Sequence, residues 1–173
     1  MAAQAAAPEV SSPAWQVTSS LPEEKSAAEA PQPAEGETDT YPEEYATYYV
    51  TIADTGNAYF PIRNEMLRLH QALAQPIDTM RRYYDLQKKM IVLPEDDEDE
   101  LFAGDYFPRR FPSATLSLEY LTLYQKKAGE ETIALVTGIY QQKASADSAL
   151  AMLKKSARKA FVAKAEIYVG CIH

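Results

Sequence analysis

The chain has 173 residues and a formal net charge of −8 at neutral pH, but the charge is not evenly distributed. Residues 1–44 hold nine acids and one base, so they account for the whole −8, and the rest of the chain holds 16 acids and 16 bases. A neutral remainder argues against nucleic-acid binding, which needs a basic surface. No stretch approaches the roughly 18 consecutive apolar residues of a transmembrane helix.

Residues 1–44 have the composition of a tether. They contain six of the eleven prolines and ten alanines, and so few large apolar side chains do not offset the entropy of ordering the chain. We expect a disordered acidic Ala/Pro-rich tether over 1–44 and a single folded domain over 45–173, which is long enough for its own core. Two interpretations of the tether are open: a cytosolic extension, or the spacer that follows a removed signal or lipid anchor.

The folded part opens with a strand-helix pattern. Residues 47–53 are β-branched and aromatic and are followed by turn residues, which is typical of a strand and a turn. A helical apolar spacing follows and stops at Pro76. Short strands at 79–84 and 90–93 then complete a β-α-β-β unit over residues 47–93.

Residues 94–131 form a linker in this interpretation. Six adjacent acids at 95–100 repel one another and favour an exposed loop. Glycine and prolines predict irregular structure over 101–112. The spacing of later apolar residues predicts a helix that begins at Ser113 or Thr115, with an inward face made of Leu118, Leu121 and Tyr124.

The opening pattern recurs over residues 132–170. A strand at 132–140 is followed by a helix that Ser145 would cap, and two short strands follow at 161–163 and 166–169. Two β-α-β-β units predict an α+β domain: a mixed or antiparallel sheet with helices on one face, ferredoxin-like in arrangement. The other face of the sheet would be free and would display several tyrosines.

The sequence contains no recognisable catalytic motif. Cys171 ends an apolar run and is expected to be buried, and His70 and His173 are far apart in sequence. The acids at 95–100 do not follow the register of a calcium loop. We therefore expect no catalytic residues, no metal site and no cofactor.

Two clusters combine arginines with aromatic residues, at 81–84 and 105–111. Aromatic faces beside guanidinium groups can stack on sugar rings and hydrogen-bond to carboxylates. In a second interpretation the aromatic residues hold the linker on the core, while Arg109 and Arg110 pair with the acids at 95–100.

In the second unit, Gly138-Ile-Tyr140 ends the strand, the helix carries an Ala-to-Leu face from Ala146 to Leu153, and Phe161-Val162 opens the next strand. In these features the second unit resembles the SPOR family of small bacterial envelope domains. Residues 50–94 also look faintly like a LysM module, through a Val-x-x-x-Asp-Thr opening and a closing Ile-Val-Leu-Pro.

Both resemblances imply a non-enzymatic protein that binds peptidoglycan or a related glycan in the periplasm or at the outer membrane. Membrane attachment would come only from a removed N-terminal lipid anchor, as in a lipoprotein. The alternative is an adaptor that docks another envelope protein through the loop Tyr106–Phe111. The candidate ligand-binding residues are Tyr49, Tyr83, Tyr106, Arg109, Arg110, Tyr140 and Tyr168.

Overall fold

The computed structural model describes residues 44–171. The predicted tether, apart from Glu44, and His173 lie outside this range. The elements are β1 (Tyr45–Gly56), α1 (Tyr59–Leu73), β2 (Tyr83–Asp85), β3 (Met90–Val92), β4 (Ser117–Tyr120), a 3-10 turn (Leu121–Leu123), β5 (Ile133–Tyr140), α2 (Lys143–Leu153) and β6 (Phe161–Tyr168).

The main sheet has four strands in the order β4-β5-β1-β6, and all neighbours are antiparallel. With α1 after β1 and α2 after β5, this is the β-α-β-β-α-β arrangement of ferredoxin-like folds. The predicted α+β class is confirmed. One detail differs, because β2 and β3 form a separate two-stranded sheet, so the unit predicted at 47–93 gives the main sheet only β1.

Both helices pack on the same apolar core of the sheet. Helix α1 buries Ile62, Met66 and Leu69, whose spacing puts them on one face, and α2 adds Leu153. Pro61 is accommodated because it lies in the first turn of α1, where backbone N–H groups lack helical partners. The strands contribute Ala53, Leu118, Ile133 and Leu135 to this core.

The opposite face of the sheet is also buried, so the prediction of a free second face is wrong. A second apolar cluster includes Val50 and Val136, both fully buried, and Tyr48. Leu121 and Tyr124 belong to this cluster, because the chain that leaves β4 folds over the sheet. This cover removes the aromatic surface that was expected on this face.

The helix predicted from Ser113 or Thr115 is wrong, since the residues form β4 and a 3-10 turn. Leu116 and Leu118 contribute to the helix-side core, whereas the side chains of Ser117 and Glu119 bond to arginines. This is a period of two. Pairing with β5 gives these residues backbone hydrogen bonds to a neighbouring strand. A short isolated helix at the same place would be only marginally stable.

The second predicted unit is β-α-β in the structure, with one strand fewer than predicted. The two short strands expected at 161–163 and 166–169 are one continuous strand, β6. Helix α2 begins at Lys143, before Ser145, and its N-cap Gln142 makes no side-chain capping bond. Cys171 is exposed, contrary to expectation, because the chain leaves the sheet after β6.

Candidate functional site

Four tyrosines meet at one end of the main sheet. Tyr45 of β1 lies directly opposite Tyr168 of β6, and Tyr49 of β1 lies opposite Tyr140 of β5. Residues directly opposite in an antiparallel pair share a face, and Tyr45 and Tyr49 share a face because they are an even number of residues apart. We call these four residues the tyrosine strip. The rings of Tyr45 and Tyr168 contact edge to face, with 5.3 Å between centroids.

The strip lies on the helix side of the sheet, at the end where α2 begins. Residues 46, 48 and 50 face the second core, so the strip occupies the other face. Helix α2 must run from the Tyr140 end of β5 back to the start of β6, away from the strip. β1 and β6 continue past the end of β5, which leaves Tyr45 57% exposed.

Glycines set the position of two of these rings. A Cβ atom on Gly138 would come 2.5 Å from the hydroxyl of Tyr140, and one on Gly170 would come 2.6 Å from that of Tyr168. Each ring therefore lies across a glycine two residues away. This gives the Gly-x-Tyr pattern at 138–140 a physical reason: without a side chain at the glycine, the ring can lie flat along the strand.

Polar side chains border the strip on the same face. Lys164 lies opposite Tyr49, and Thr47 lies opposite Glu166, to which it donates a 2.6 Å hydrogen bond. Lys164 and Glu166 are exposed and of opposite charge. The strip therefore combines flat aromatic surface with hydrogen-bonding groups and little net charge.

A cavity of about 220 Å³ adjoins the strip and is lined by Tyr45 and Tyr168 of the strip and by Glu166 beside it. Two of the predicted ligand-binding residues, Arg109 and Arg110, also line this cavity, as do Pro108, Leu123, Tyr124 and Ile167. The structure therefore brings both arginines next to Tyr168, although they are almost sixty residues apart in sequence.

The arginines do not pair with the acidic run. Arg109 is buried and bonds to Ser113, Thr115 and Ser117, while Arg110 donates to the carbonyl of Gly170 at 2.9 Å. The interpretation that pairs them with residues 95–100 is wrong. Other cations take that role in the described chain, with Arg81 3.0 Å from Asp97 and Lys88 3.2 Å from Glu95.

Tyr106 and Tyr83 lie elsewhere. Tyr106 lines a cleft of about 610 Å³ between β3 and the β4–β5 pair, together with Tyr84, Tyr120, Lys88, Lys89, Met90, Ile133, Asn57, Thr122, Leu123, Glu130 and Glu131. Its hydroxyl donates to the buried carboxylate of Glu119, and burial raises its pKa well above the usual value. Tyr83 is 44% exposed on β2.

The larger cleft is a weaker candidate binding site than the strip, because its tyrosines are engaged in contacts within the protein. Tyr106 is committed to Glu119, and the hydroxyl of Tyr120 accepts the backbone N–H of Ile91. The ring of Tyr84 stacks on Tyr59 with 4.2 Å between centroids, which attaches the β2–β3 hairpin to α1. These aromatic residues hold the hairpin and linker on the domain.

Sequence reasoning missed Tyr45, Lys164 and Glu166. The available signal was the period of two along a strand, which places residues two positions apart on the same face. Tyr45, Thr47 and Tyr49 have this spacing, and so do Lys164 and Glu166. No sequence signal pointed to the buried ion pair of Arg82 with Glu119, which depends on contacts across the edge of the sheet.

No family model, curated protein or solved structure matches the chain. Neither helix between residues 44 and 171 has the length and apolar character needed to cross a membrane. In the same range, no three His, Cys, Asp or Glu side chains gather as metal ligands would.

Proposed function

We propose that this protein binds a glycan strand, peptidoglycan or a related polymer, through the tyrosine strip and without catalysing a reaction. One observation carries the proposal: four tyrosines lie in register at one end of a sheet, Tyr45 exposed and the other three half-buried, among hydrogen-bonding side chains. Tyrosine rings offer an apolar face to a sugar ring and a hydroxyl to its substituents.

The shape of the strip supports an extended ligand. Tyr45 and Tyr49 are four strand residues apart, which is about 13 Å along β1. The adjacent strands β5 and β6 place Tyr140 and Tyr168 to either side of β1. An aromatic surface of this extent suits a chain of sugar rings better than a single ring.

The charge balance supports a ligand that is not a polyanion. The chain after residue 44 has equal numbers of acids and bases, and Lys164 and Glu166 repeat this balance beside the strip. Nucleic acid would need a cationic face. A bacterial envelope location, periplasmic or at the outer membrane, is part of the proposal and rests on the SPOR resemblance, with the N-terminal segment as a spacer.

Co-sedimentation of the full chain with purified sacculi, intact and stripped of peptides, tests the proposal. The double variant Tyr45→Ser/Tyr168→Ser should be retained about tenfold less, because two stacking surfaces are lost. Tyr83→Ser is the matched control, since Tyr83 is similarly exposed but lies on β2. No retention of the unaltered protein on either form, or an equal loss with Tyr83→Ser, would overturn the proposal.

A second candidate function is docking of another envelope protein at the loop Tyr106–Phe111. Phe111 favours it, because its ring is 61% exposed and lies 5.5 Å from the Arg110 guanidinium. Phe111→Ser should then reduce capture of the partner and leave retention on sacculi unchanged. Arg109 is unsuitable for this test because it is buried.

A further inference from the structure

We propose that the 220 Å³ cavity beside the tyrosine strip binds a carboxylate group carried by the ligand. The inference rests on the proposed function in one respect: the carboxylate would belong to an acidic sugar of the glycan. The residues that line the cavity carry unpartnered hydrogen-bond donors and an excess of positive charge. These features do not depend on the identity of the polymer.

Arg109 supplies a buried positive charge that pairs directly with no acid among residues 44–171. Only 4% of the residue is exposed. Nη1 donates to the carbonyl of Thr115 at 3.0 Å and to Ser117 Oγ at 2.9 Å, and Nη2 donates to the carbonyl and Oγ of Ser113, each at 2.6 Å. All four acceptors are neutral, and Nε has no partner within residues 44–171.

Glu119, the acid with the largest effect on Arg109, is already engaged. Glu119 accepts two hydrogen bonds from Arg82 and one from Tyr106. Burial lowers the pKa of Arg109, although the charge of Glu119 opposes this effect. A buried guanidinium normally has an anionic partner, because burying an unpaired charge is unfavourable.

Two further residues that line the same cavity carry unpartnered donors. Tyr124 is 4% exposed, and its hydroxyl has no partner in the described part of the chain. Arg110 Nε is likewise unpartnered between residues 44 and 171. Buried polar atoms without partners are rare in folded proteins, so three such atoms from residues around one cavity indicate an acceptor that binds there.

The charge and size of the cavity favour a carboxylate. Two guanidinium groups and one acid, Glu166, line it, which leaves one unit of positive charge. Thr47 holds the acid with a 2.6 Å hydrogen bond. A singly charged carboxylate balances the excess, whereas a dianionic phosphate exceeds it. A cavity of about 150 Å³ holds benzene, so 220 Å³ accommodates a small acidic substituent.

Isothermal titration of the full chain with two monosaccharides tests the inference. N-acetylmuramic acid and N-acetylglucosamine differ only in a lactyl ether that carries a carboxylate. We expect the acidic sugar to bind about tenfold more tightly or better, as charge-assisted hydrogen bonds allow. Tyr124→Phe and Arg110→Gln should each reduce this preference severalfold, and Tyr83→Phe should leave it unchanged. Thermal unfolding confirms that each variant is folded.

Acetate and inorganic phosphate separate this inference from the proposed function. Acetate should bind in a Tyr124-dependent way, whether or not the protein binds glycans. Equal affinity for the two sugars, or acetate binding that ignores Tyr124→Phe, overturns the carboxylate site and leaves the glycan proposal standing. Tyr124-dependent acetate binding without retention on sacculi removes the glycan proposal and keeps the site. Phosphate binding as tight as acetate overturns the assignment to a carboxylate.

Discussion

Tyr106 and Tyr124, near β4, differ in whether their hydroxyl groups have a hydrogen-bond partner. The side chain of Tyr124 is buried and that of Tyr106 is half-buried, and burial raises the pKa of both well above the usual value. The Tyr106 hydroxyl donates to Glu119, and the guanidinium of Arg82 lies 5.0 Å from its ring centroid. The Tyr124 hydroxyl has no partner among residues 44–171. Comparing the effect on stability of removing each hydroxyl therefore measures the contribution of one hydrogen bond to a buried carboxylate.

Replacing each tyrosine by phenylalanine should therefore give different results. Tyr106→Phe removes a donor from a buried charged group and should lower the free energy of unfolding by about 1–3 kcal/mol. Tyr124→Phe removes an unpartnered hydroxyl and should change stability at pH 7 by less than about 1 kcal/mol. Urea unfolding of both variants measures this. An equal loss from both would contradict the assigned hydrogen bond.

The ion pair of Arg82 with Glu119 should behave as buried ion pairs do. The two bonds of this pair are 2.8 and 2.6 Å long, and both side chains are almost fully buried. Arg82→Met leaves Glu119 unpaired and should destabilise the protein by about 3–5 kcal/mol. The double variant Arg82→Met/Glu119→Leu should be more stable than Arg82→Met alone. Chemical denaturation checks this order, and a double variant that loses more stability than the single would refute it.

Individual residues of the strip were partly predictable from the sequence. Tyr49, Tyr140 and Tyr168 were identified because each lies in a predicted strand, and the sheet brings them together. Arg109 was identified as a binding residue by composition alone. Its fixed contacts with Ser113 and Ser117 could not be foreseen, because they depend on how the linker folds over the edge of the sheet.

At the scale of the element, a glycine in β5 determines how a tyrosine is presented. The ring of Tyr140 occupies the space where a side chain at Gly138 would be. The same relation holds in reverse order for Tyr168 and Gly170 after the end of β6. Strand sequence therefore controls how the rings of the tyrosine strip lie as well as which residues form it.

Gly138→Ala should separate stability from binding. The added Cβ meets the outer end of the Tyr140 ring, which can turn away, so the free energy of unfolding should change by no more than about 1 kcal/mol. Retention on sacculi should fall to that of Tyr140→Ser, because the ring no longer lies flat. The combination Gly138→Ala/Tyr140→Ser should add no further loss. A variant that binds as well as the unaltered protein would contradict the role given to the glycine.

Helices and strands with a clear periodicity of apolar residues were predicted correctly, whereas the strand in the linker was not. β1, α1, β5 and α2 have strong periodicity and were located to within a few residues. β4 was predicted as a helix because Leu118, Leu121 and Tyr124 are spaced by three. Its strand conformation depends on pairing with β5, which is a long-range contact that local sequence does not encode.

For the whole molecule, buried tyrosines make stability sensitive to alkaline pH. The pKa of Tyr106 and of Tyr124 is raised well above 10 in the folded state, chiefly by burial, whereas tyrosines of an unfolded chain titrate near 10. Above pH 10 the unfolded state therefore binds fewer protons than the folded state. Stability is complete below that pH and falls as the pH rises.

The expected slope is about 1.4 kcal/mol per pH unit for each of these tyrosines once the unfolded chain is ionised. Urea unfolding between pH 8 and about pH 11 measures the decline. In Tyr124→Phe the free energy of unfolding should fall less steeply with pH, by the contribution of one tyrosine. At pH 7 its free energy of unfolding should be close to that of the unaltered protein. Identical slopes for the two proteins would show that Tyr124 ionises freely in the folded state.

The pairing of Tyr45 with Tyr168 joins the first strand of the described chain to the last. Contacts so distant in sequence close large loops and form late in folding. During synthesis, β1 emerges long before either of its neighbours, and its apolar side chains stay uncovered until β5 and β6 are made. The tyrosine strip is consequently the final piece to be assembled, so partly synthesised chains that lack β6 would also lack Tyr168 and the surface that it completes.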